Sequence, residues 1–388
     1  MLAPLARLEA AIAPHRERLA TPALIIDLDA VDHNVAAVIK RCGGDPSRWR
    51  PHVKTLKQAA LLRHLFDRGV THLKCATLDE LAMVLEAADA TDVDVDVLVA
   101  YPLYEAAFRS ASRLADAHPR ARVGFLADSP MHARSMDGWA HGGKRPLYFD
   151  VDIGMGRTGT FAPRWATHAA ALAADLNHFT IAGLHGYDGH VHWEQQTEAH
   201  AGYDRLCALA HTLGDRLAPG GLADFELLTS GTHSYAHALA HPGLAAGPWR
   251  HRVSPGTIVF SDVRSAPAAA DIGLRQAAFV ASRVISTGKD RVTLDAGSKA
   301  LTPDAGGRPG CKILDHDALL PQRASEEHLP CSVAAGVPPP ALGELLWLIP
   351  DHVCTTVNLH REALWIRGGE LVGHGPVDAA GHSPHPPL

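Results

Sequence analysis

The sequence predicts a (β/α)8 barrel followed by an antiparallel β domain. Three observations carry this reading. From Thr21 onward, short β-rich apolar runs alternate with amphipathic helical segments, the pattern of parallel strands joined by crossover helices. Eight such runs precede Phe260, the number that closes a barrel rather than an open sheet. After Phe260, apolar and polar residues alternate around tight turns, as they do in antiparallel sheets with one wet face.

In order, the strand runs are ALIIDL, RPHVK, THLKCA, VDVLVA, ARVGFLA, PLYFDVD, TIAGLHG and FELLTS. Between them lie helical patterns such as DHNVAAVIKRCGG, KQAALLRHLFDRG, DELAMVLEAAD and YEAAFRSASRLADAHP, several ending at Gly or Pro as helices should. The later segments QAAFVASRVISTGKDRVTLDAGSKAL and HVCTTVNLHREALWIRGGELVGHGPVD turn at GKD and RGGE and read as β structure. Residues 20–262 are therefore assigned to the barrel and 263–388 to the β domain, with the helical residues 1–19 packing on the latter. The tail AAGHSPHPPL is expected to fray. At 388 residues the chain is too long for one ordinary core, which agrees with two domains.

Composition narrows the function. A net charge of −6 provides no basic footprint for nucleic acid, and no apolar run reaches membrane-spanning length. The N-terminus has no basic start followed by an apolar core, so it does not read as a secretory signal. Six scattered cysteines lack framework spacing and read as free thiols or ligands in a reducing compartment. A cytoplasmic enzyme acting on a small molecule is the expectation.

In a barrel, function sits at the C-terminal ends of the strands, and four polar clusters fall there. RPHVKTLK ends in Lys54, where an ordinary lysine would be solvated but a partly dried one can form a Schiff base with a carbonyl. FDVDIGMGRTG is a strand followed by a glycine turn that carries Arg157. GLHGYDGHVHWE packs three histidines, a tyrosine and two acids into twelve residues, and His190 or His192 has the chemistry of a general base. TSGTHSYAH and SPGT place Gly231, Thr232, Gly256 and Thr257 at strand ends, where backbone N–H groups can hold a phosphate. Further on, PDHVCTTVNL spaces His352 and Cys354 two apart. On a strand that spacing turns both side chains to one side, where imidazole and thiolate suit zinc.

RPHVKTLK, the VDIGMGRTG turn and DHVCTTVNL together resemble the D-serine dehydratase and D-threonine aldolase family, whose N-terminal domain is similar to that of alanine racemase. LDAGSKALTPD and SEEHLPC also look like family segments, so the resemblance spans about Thr21 to Gly375. It implies an alanine racemase-like arrangement and pyridoxal 5'-phosphate carried on Lys54. Arg157 would bind the cofactor's phenolic oxygen, with Tyr187 near it and Gly231, Thr232, Gly256 and Thr257 on its phosphate. Ser254 falls where racemases set an arginine against the pyridine nitrogen. His352 and Cys354 would hold a divalent metal, with Zn2+ expected ahead of Mn2+ or Mg2+.

In the aldolase branch the second ligand is an aspartate, so Cys354 points to the dehydratase branch. The expected reaction is loss of water from a D-3-hydroxy amino acid to give a 2-oxo acid and ammonia, with retro-aldol cleavage to glycine and an aldehyde as the alternative. A racemase or a non-catalytic cofactor carrier is a lesser reading. Family members of this architecture pair into homodimers. Where they commonly carry KTHK this chain has KTLK, with Leu56 in place of the histidine.

Overall fold

The computed structural model describes residues 3–160, 169, 172–173, 175–217 and 221–383. The last five residues of the AAGHSPHPPL tail lie outside the described residues. In chain order the strands are β1 (Ala23–Asp27), β2 (His72–Cys75), β3 (Val95–Val99), β4 (Ala121–Ala127), β5 (Arg145–Asp150), β6 (Phe179–Gly186), β7 (Glu226–Thr229) and β8 (Arg250–Val253). They continue with β9 (Ala278–Thr287), β10 (Arg291–Leu294), β11 (Cys311–Ile313), β12 (Leu319–Pro321), β13 (Leu329–Val333), β14 (Leu345–Pro350), β15 (Glu362–Arg367) and β16 (Glu370–Pro376). The chain divides into two compact units. One contains residues up to 38, 55–64 and 257–381, and the other contains 39–54 and 65–256.

The second unit is the barrel. Strands β2 to β8 pair in sequence order, every neighbour parallel. They are buried nearly throughout, because inward residues pack the barrel centre and outward residues meet the helices. Helices over Leu78–Thr91, Glu105–Ala117 and Gln196–Leu217 provide crossovers. The first of these starts on the Thr77 hydroxyl, which accepts from Glu80 N.

Two expected barrel strands are placed differently. ALIIDL forms β1, which belongs to the other sheet, parallel to β15 and antiparallel to β9. RPHVK forms no ladder strand but bridges the two edges of the barrel sheet, through Trp49 with Val253 and His52 with Lys74. Arg50 N donates to Val253 O, Val53 N to Lys74 O, and Lys74 N to Pro51 O. Pro51 has no N–H to donate, so a regular ladder cannot form there.

The seventh ladder strand is instead RHRV, β8, whose charges hide a strand. They are tolerated because they are paired. Buried Arg50 grips Glu226 through Nε and Nη2, each at 2.8 Å, and Asp96 at 2.9 Å; Arg252 also donates to Glu226. This network lies at the N-terminal ends of the strands and so leaves the opposite ends for chemistry.

The first unit holds a nine-stranded sheet built around β9, β10, β13 and β1 with β14 to β16. One core gathers Val280, Leu294, Ile313, Leu329 and Leu348. The other packs Leu8 and Ile12 of the N-terminal helix on Ile25, Phe279 and Trp347. All six cysteines are buried and unbridged. Among the described residues no helix is long and apolar enough to cross a membrane.

Candidate active site

The C-terminal ends of the barrel strands converge on a polar cluster. Asp150 closes β5 and His185 lies near the end of β6; Nδ1 of His185 is 2.7 Å from Oδ1 of Asp150. Nε2 of the same ring is 3.4 Å from Nζ of Lys74, near the end of β2. Lys74 is only 2% exposed. Burial, reinforced by the charges of Lys54 and Arg157, brings its amine down to about 7 despite Asp150 and Asp188. Burial also lowers His185, outweighing Asp150, so its ring is neutral at pH 7. A neutral ring that donates from Nδ1 to Asp150 accepts at Nε2 from Lys74.

The ring of Tyr187 takes a cation on each of two contacts, Arg157 at 4.8 Å and Lys74 at 5.5 Å from its centroid. The turn that presents Arg157 is shaped by Asp152, whose Oδ1 accepts from Gly154 N at 2.9 Å and Gly156 N at 3.0 Å. Gly159 closes the turn at φ +85°, and a Cβ there would stand 2.8 Å from the carbonyl of Asp150. Only glycine fits that turn.

Lys54 itself is exposed, and its amide donates to His52 Nδ1. The dry amine expected at Lys54 is found at Lys74. His190 stands over Gly154 and is 3.7 Å from Glu198, while exposed His192 meets His233 edge-on. Among the described residues no hydrogen bond brings either of them to the Lys74 cluster.

After β7 the chain forms an anion cradle. Ser230 is fully buried at φ +64°, and Thr232 is 7% exposed. Neither hydroxyl has a hydrogen-bond partner among the described residues. Buried hydroxyls left unpaired are costly, so the pair fits an acceptor such as phosphate, with Gly231 between them packed against Tyr187. Ser254 donates its proton to Arg50 O at 2.9 Å and therefore presents only lone pairs to anything else. Buried Gly256 precedes a 3₁₀ turn over Thr257–Val259.

The other unit carries the imidazole–thiol pair. The expected strand through PDHVCTTVNL stops at Pro350, and a short helix spans Val353–Val357. His352 is the extended residue before it. Asp262 fixes this corner by accepting from Val353 N at 2.9 Å. The two side chains still meet through a hydrogen bond, across a strand-to-helix corner rather than along a strand.

Burial lowers His352, but the sulfur of Cys354 and the carboxylate of Asp304 more than offset it and raise the ring to about 9. Asp304 sits 2.7 Å from His352 Nδ1 and is held by Arg264 and Thr355. The thiol of Cys354 lies 3.0 Å from the hydroxyl of Thr55 and 3.2 Å from that of Thr257. Leu56 is buried next to Thr55.

Among the described residues no group of three or more His, Cys, Asp or Glu is arranged to hold a metal. Two donors with a carboxylate behind the imidazole nonetheless fit an ion that keeps open positions.

The sequence profile of the alanine racemase N-terminal domain matches residues 26–242, more than half of the chain. The chain belongs to that family. A second profile, "Putative serine dehydratase domain", matches residues 277–366. This pairing is that of the D-serine dehydratase and D-threonine aldolase family, as its motifs implied. D-threonine aldolase from Arthrobacter sp is 28% identical over 378 residues, covering 94% of each chain. The crystal structure of D-threonine aldolase from Filomicrobium marinum superposes with a TM-score of 0.79 at 27% identity, covering 93% of this chain and 95% of that one. D-threo-3-hydroxyaspartate dehydratase from Delftia sp. HT23 shares the fold with a TM-score of 0.75 at 21% identity, covering 95% and 99%.

Lys74, Asp150, His185, Ser230 and Asp304 were not singled out from the sequence. His185 and Ser230 lie inside segments chosen for other residues, GLHGYDGHVHWE and TSGTHSYAH. Lys74 had the clearest signal, a lysine between apolar residues of THLKCA.

Proposed function

We propose that this chain is a pyridoxal-phosphate-dependent lyase that cleaves a D-configured 3-hydroxy amino acid between its α and β carbons, giving glycine and an aldehyde. The observation that carries the reading is a single chain with an anion cradle of unpaired buried hydroxyls, a lysine-rich barrel end and an imidazole–thiol pair. Retro-aldol cleavage is put first because D-threonine aldolase aligns along 94% of this chain.

The chemistry supplied by pyridoxal phosphate, when held by Lys54, is a conjugated acceptor for the electron pair released at the α-carbon. Ser230 and Thr232 donate to its phosphate. Arg157, planar and always charged, donates to its phenolic oxygen. His190 or His192 would take the proton of the β-hydroxyl as the bond between the α and β carbons breaks, and Lys54 would supply the proton that the α-carbon gains in glycine. His352 and Cys354 hold a divalent cation, for which the sulfur donor favours Zn2+, and its chemistry is Lewis-acid polarisation of the β-hydroxyl. Asp304 keeps His352 in the tautomer that ligates through Nε2.

Cys354 favours a second reading, elimination of water to a 2-oxo acid and ammonia. The protein is proposed to work as a cytoplasmic homodimer, which sedimentation of the purified chain checks. The deciding experiment gives the loaded protein D-threonine or D-threo-3-hydroxyaspartate, with and without a chelator. Chelator-sensitive glycine and aldehyde support the aldolase. A 2-oxo acid and ammonia support the dehydratase. Neither pair of products from either substrate overturns both.

A further inference from the structure

The end of the barrel opposite the candidate active site carries a cavity of about 550 Å3, a size typical of small-molecule sites. It opens where the barrel sheet is joined by single bridges. Its walls are the 3₁₀ turn over Pro46–Arg48, the first residue of β2 and the first three residues of β8. Leu239, Leu244 and Ala245, from the short helices over Tyr235–Ala240 and Pro242–Ala246, form an apolar side.

The polar side is short of acceptors. Arg252 donates from Nε to Ser47 O at 2.6 Å, from Nη1 to Glu226, and from Nη2 to Nε2 of His72 at 2.9 Å. A guanidinium only donates, so Nε2 of His72 accepts and the neutral ring carries its proton on Nδ1. Burial, aided by the charges of Arg252 and Arg50, keeps that ring neutral. The Nδ1–H of His72 and the Nε1–H of Trp249 are buried donors, and neither has an acceptor among the described residues. Nδ1 of His251 is also unpaired, in a buried ring whose Nε2 meets Thr229 Oγ1 at 2.8 Å. Buried donors left without acceptors are costly.

Charge points the same way. Among the described residues the wall holds three arginines and one acid, the exposed Asp45, whose carboxylate accepts from Ser47 N. Arg250 is paired with Asp224 and Arg252 with Glu226. Arg48 has no carboxylate partner among the described residues, and its Nη1 donates only to Cys42 O at 3.3 Å.

We propose that this cavity binds a small organic anion, whose phosphate or carboxylate oxygens accept from Arg48 and His72 while its hydrocarbon body lies on Leu239, Leu244 and Ala245. Charge-assisted bonds from a guanidinium to such an anion are the strong kind. The neutral ring donors orient the oxygens without adding charge. No residue of this site belongs to the candidate active site, so its failure and that of the lyase reading are independent.

The test titrates phenyl phosphate, benzoate and uncharged phenol by calorimetry into the full chain, loaded with pyridoxal phosphate and freed of excess. At least one of the anions should bind at one site per chain with a Kd below about 1 mM, and phenol about 10-fold more weakly or worse. Arg48→Gln removes the unpaired charge, and Ala245→Trp fills the cavity from an exposed position. Each should weaken binding about 10-fold or more. Thr232→Val, in the cradle at the other end of the barrel, should leave it unchanged.

Tighter binding of phenyl phosphate supports a phosphate ester as the occupant, and tighter binding of benzoate a carboxylic acid. Thermal melts establish that both variants fold, and if one does not, the other decides. No binding of either anion at about 10 mM, wild-type affinity in both variants, or a loss confined to Thr232→Val overturns the proposal.

Discussion

Asp304 holds Nδ1 of His352 at 2.7 Å, which fixes one nitrogen of the ring and leaves Nε2 as the one that would ligate the proposed cation. Carboxylates behind a ligating imidazole raise its basicity and lock its tautomer. Asp304→Asn should therefore weaken zinc binding by about 10- to 100-fold, read by competition with a chromogenic chelator. Cys354→Asp should shift the preference from Zn2+ toward Mn2+. Unchanged zinc affinity in Asp304→Asn would dismiss the pair as a metal site.

The cradle after β7 makes a prediction in which stability and binding move in opposite directions. Thr232 Oγ1 is buried without a partner among the described residues, so Thr232→Val removes an unmet hydrogen-bonding group. The cofactor-free chain should melt at the same temperature or higher. Pyridoxal phosphate should bind about 10-fold more weakly, for the loss of about 1.4 kcal/mol of charge-assisted bonding. Fluorescence titration beside a thermal melt checks both, and unchanged affinity would remove Thr232 from the phosphate site.

At the other end of the barrel, Glu226 neutralises two arginines. Arg50 is fully buried and Arg252 is 5% exposed. Glu226→Ala would leave Arg50 with Asp96 and Arg252 with no carboxylate partner among the described residues. Breaking a buried ion pair on one side costs about 3–5 kcal/mol, and a drop of that size is expected in chemical denaturation. A loss below about 1 kcal/mol would mean that water reaches the guanidinium groups.

Two histidines should make the barrel acid-sensitive. Burial, aided by the Arg252 and Arg50 charges, brings His72 down to about 4, and burial brings His251 down to about 3. Unfolded, both titrate near 6.5. Between those values the unfolded chain binds more protons than the folded one, so stability falls as pH drops. The full contribution is present above about pH 6.5, and the loss is about 1.4 kcal/mol per pH unit for each histidine until its folded value is reached. His251→Gln should flatten the denaturation free energy between pH 6 and pH 4, and an unaltered slope would place the acid sensitivity elsewhere.

Much of this was legible in the sequence because periodicity reports burial. THLKCA, VDVLVA, ARVGFLA and PLYFDVD became β2 to β5 where the pattern put them. RHRV escaped because Arg252 is paired with Glu226 and Arg250 with Asp224, residues on the preceding strand and its approach that no local pattern reveals. ALIIDL is apolar enough for either sheet, and only its long-range partners in β9 and β15 decide between them. The His–x–Cys spacing was legible but its backbone was not. Asp262, ninety-one residues upstream of Val353, caps the corner that turns the strand into a helix. Lys74 and Asp304 stayed hidden for the same reason, since each matters through a neighbour distant in sequence.

Pro51 has a mechanical consequence. The stave leading to Lys54 is joined to β8 and β2 through single bridges instead of continuous ladders. It can shift or swing by breaking a few bonds while the seven neighbouring staves keep theirs. Amide exchange should find Arg50 and Val53 opening sooner than the interiors of β4 and β5. A seam of this kind would let the amine proposed to react change its reach between one half of a turnover and the next.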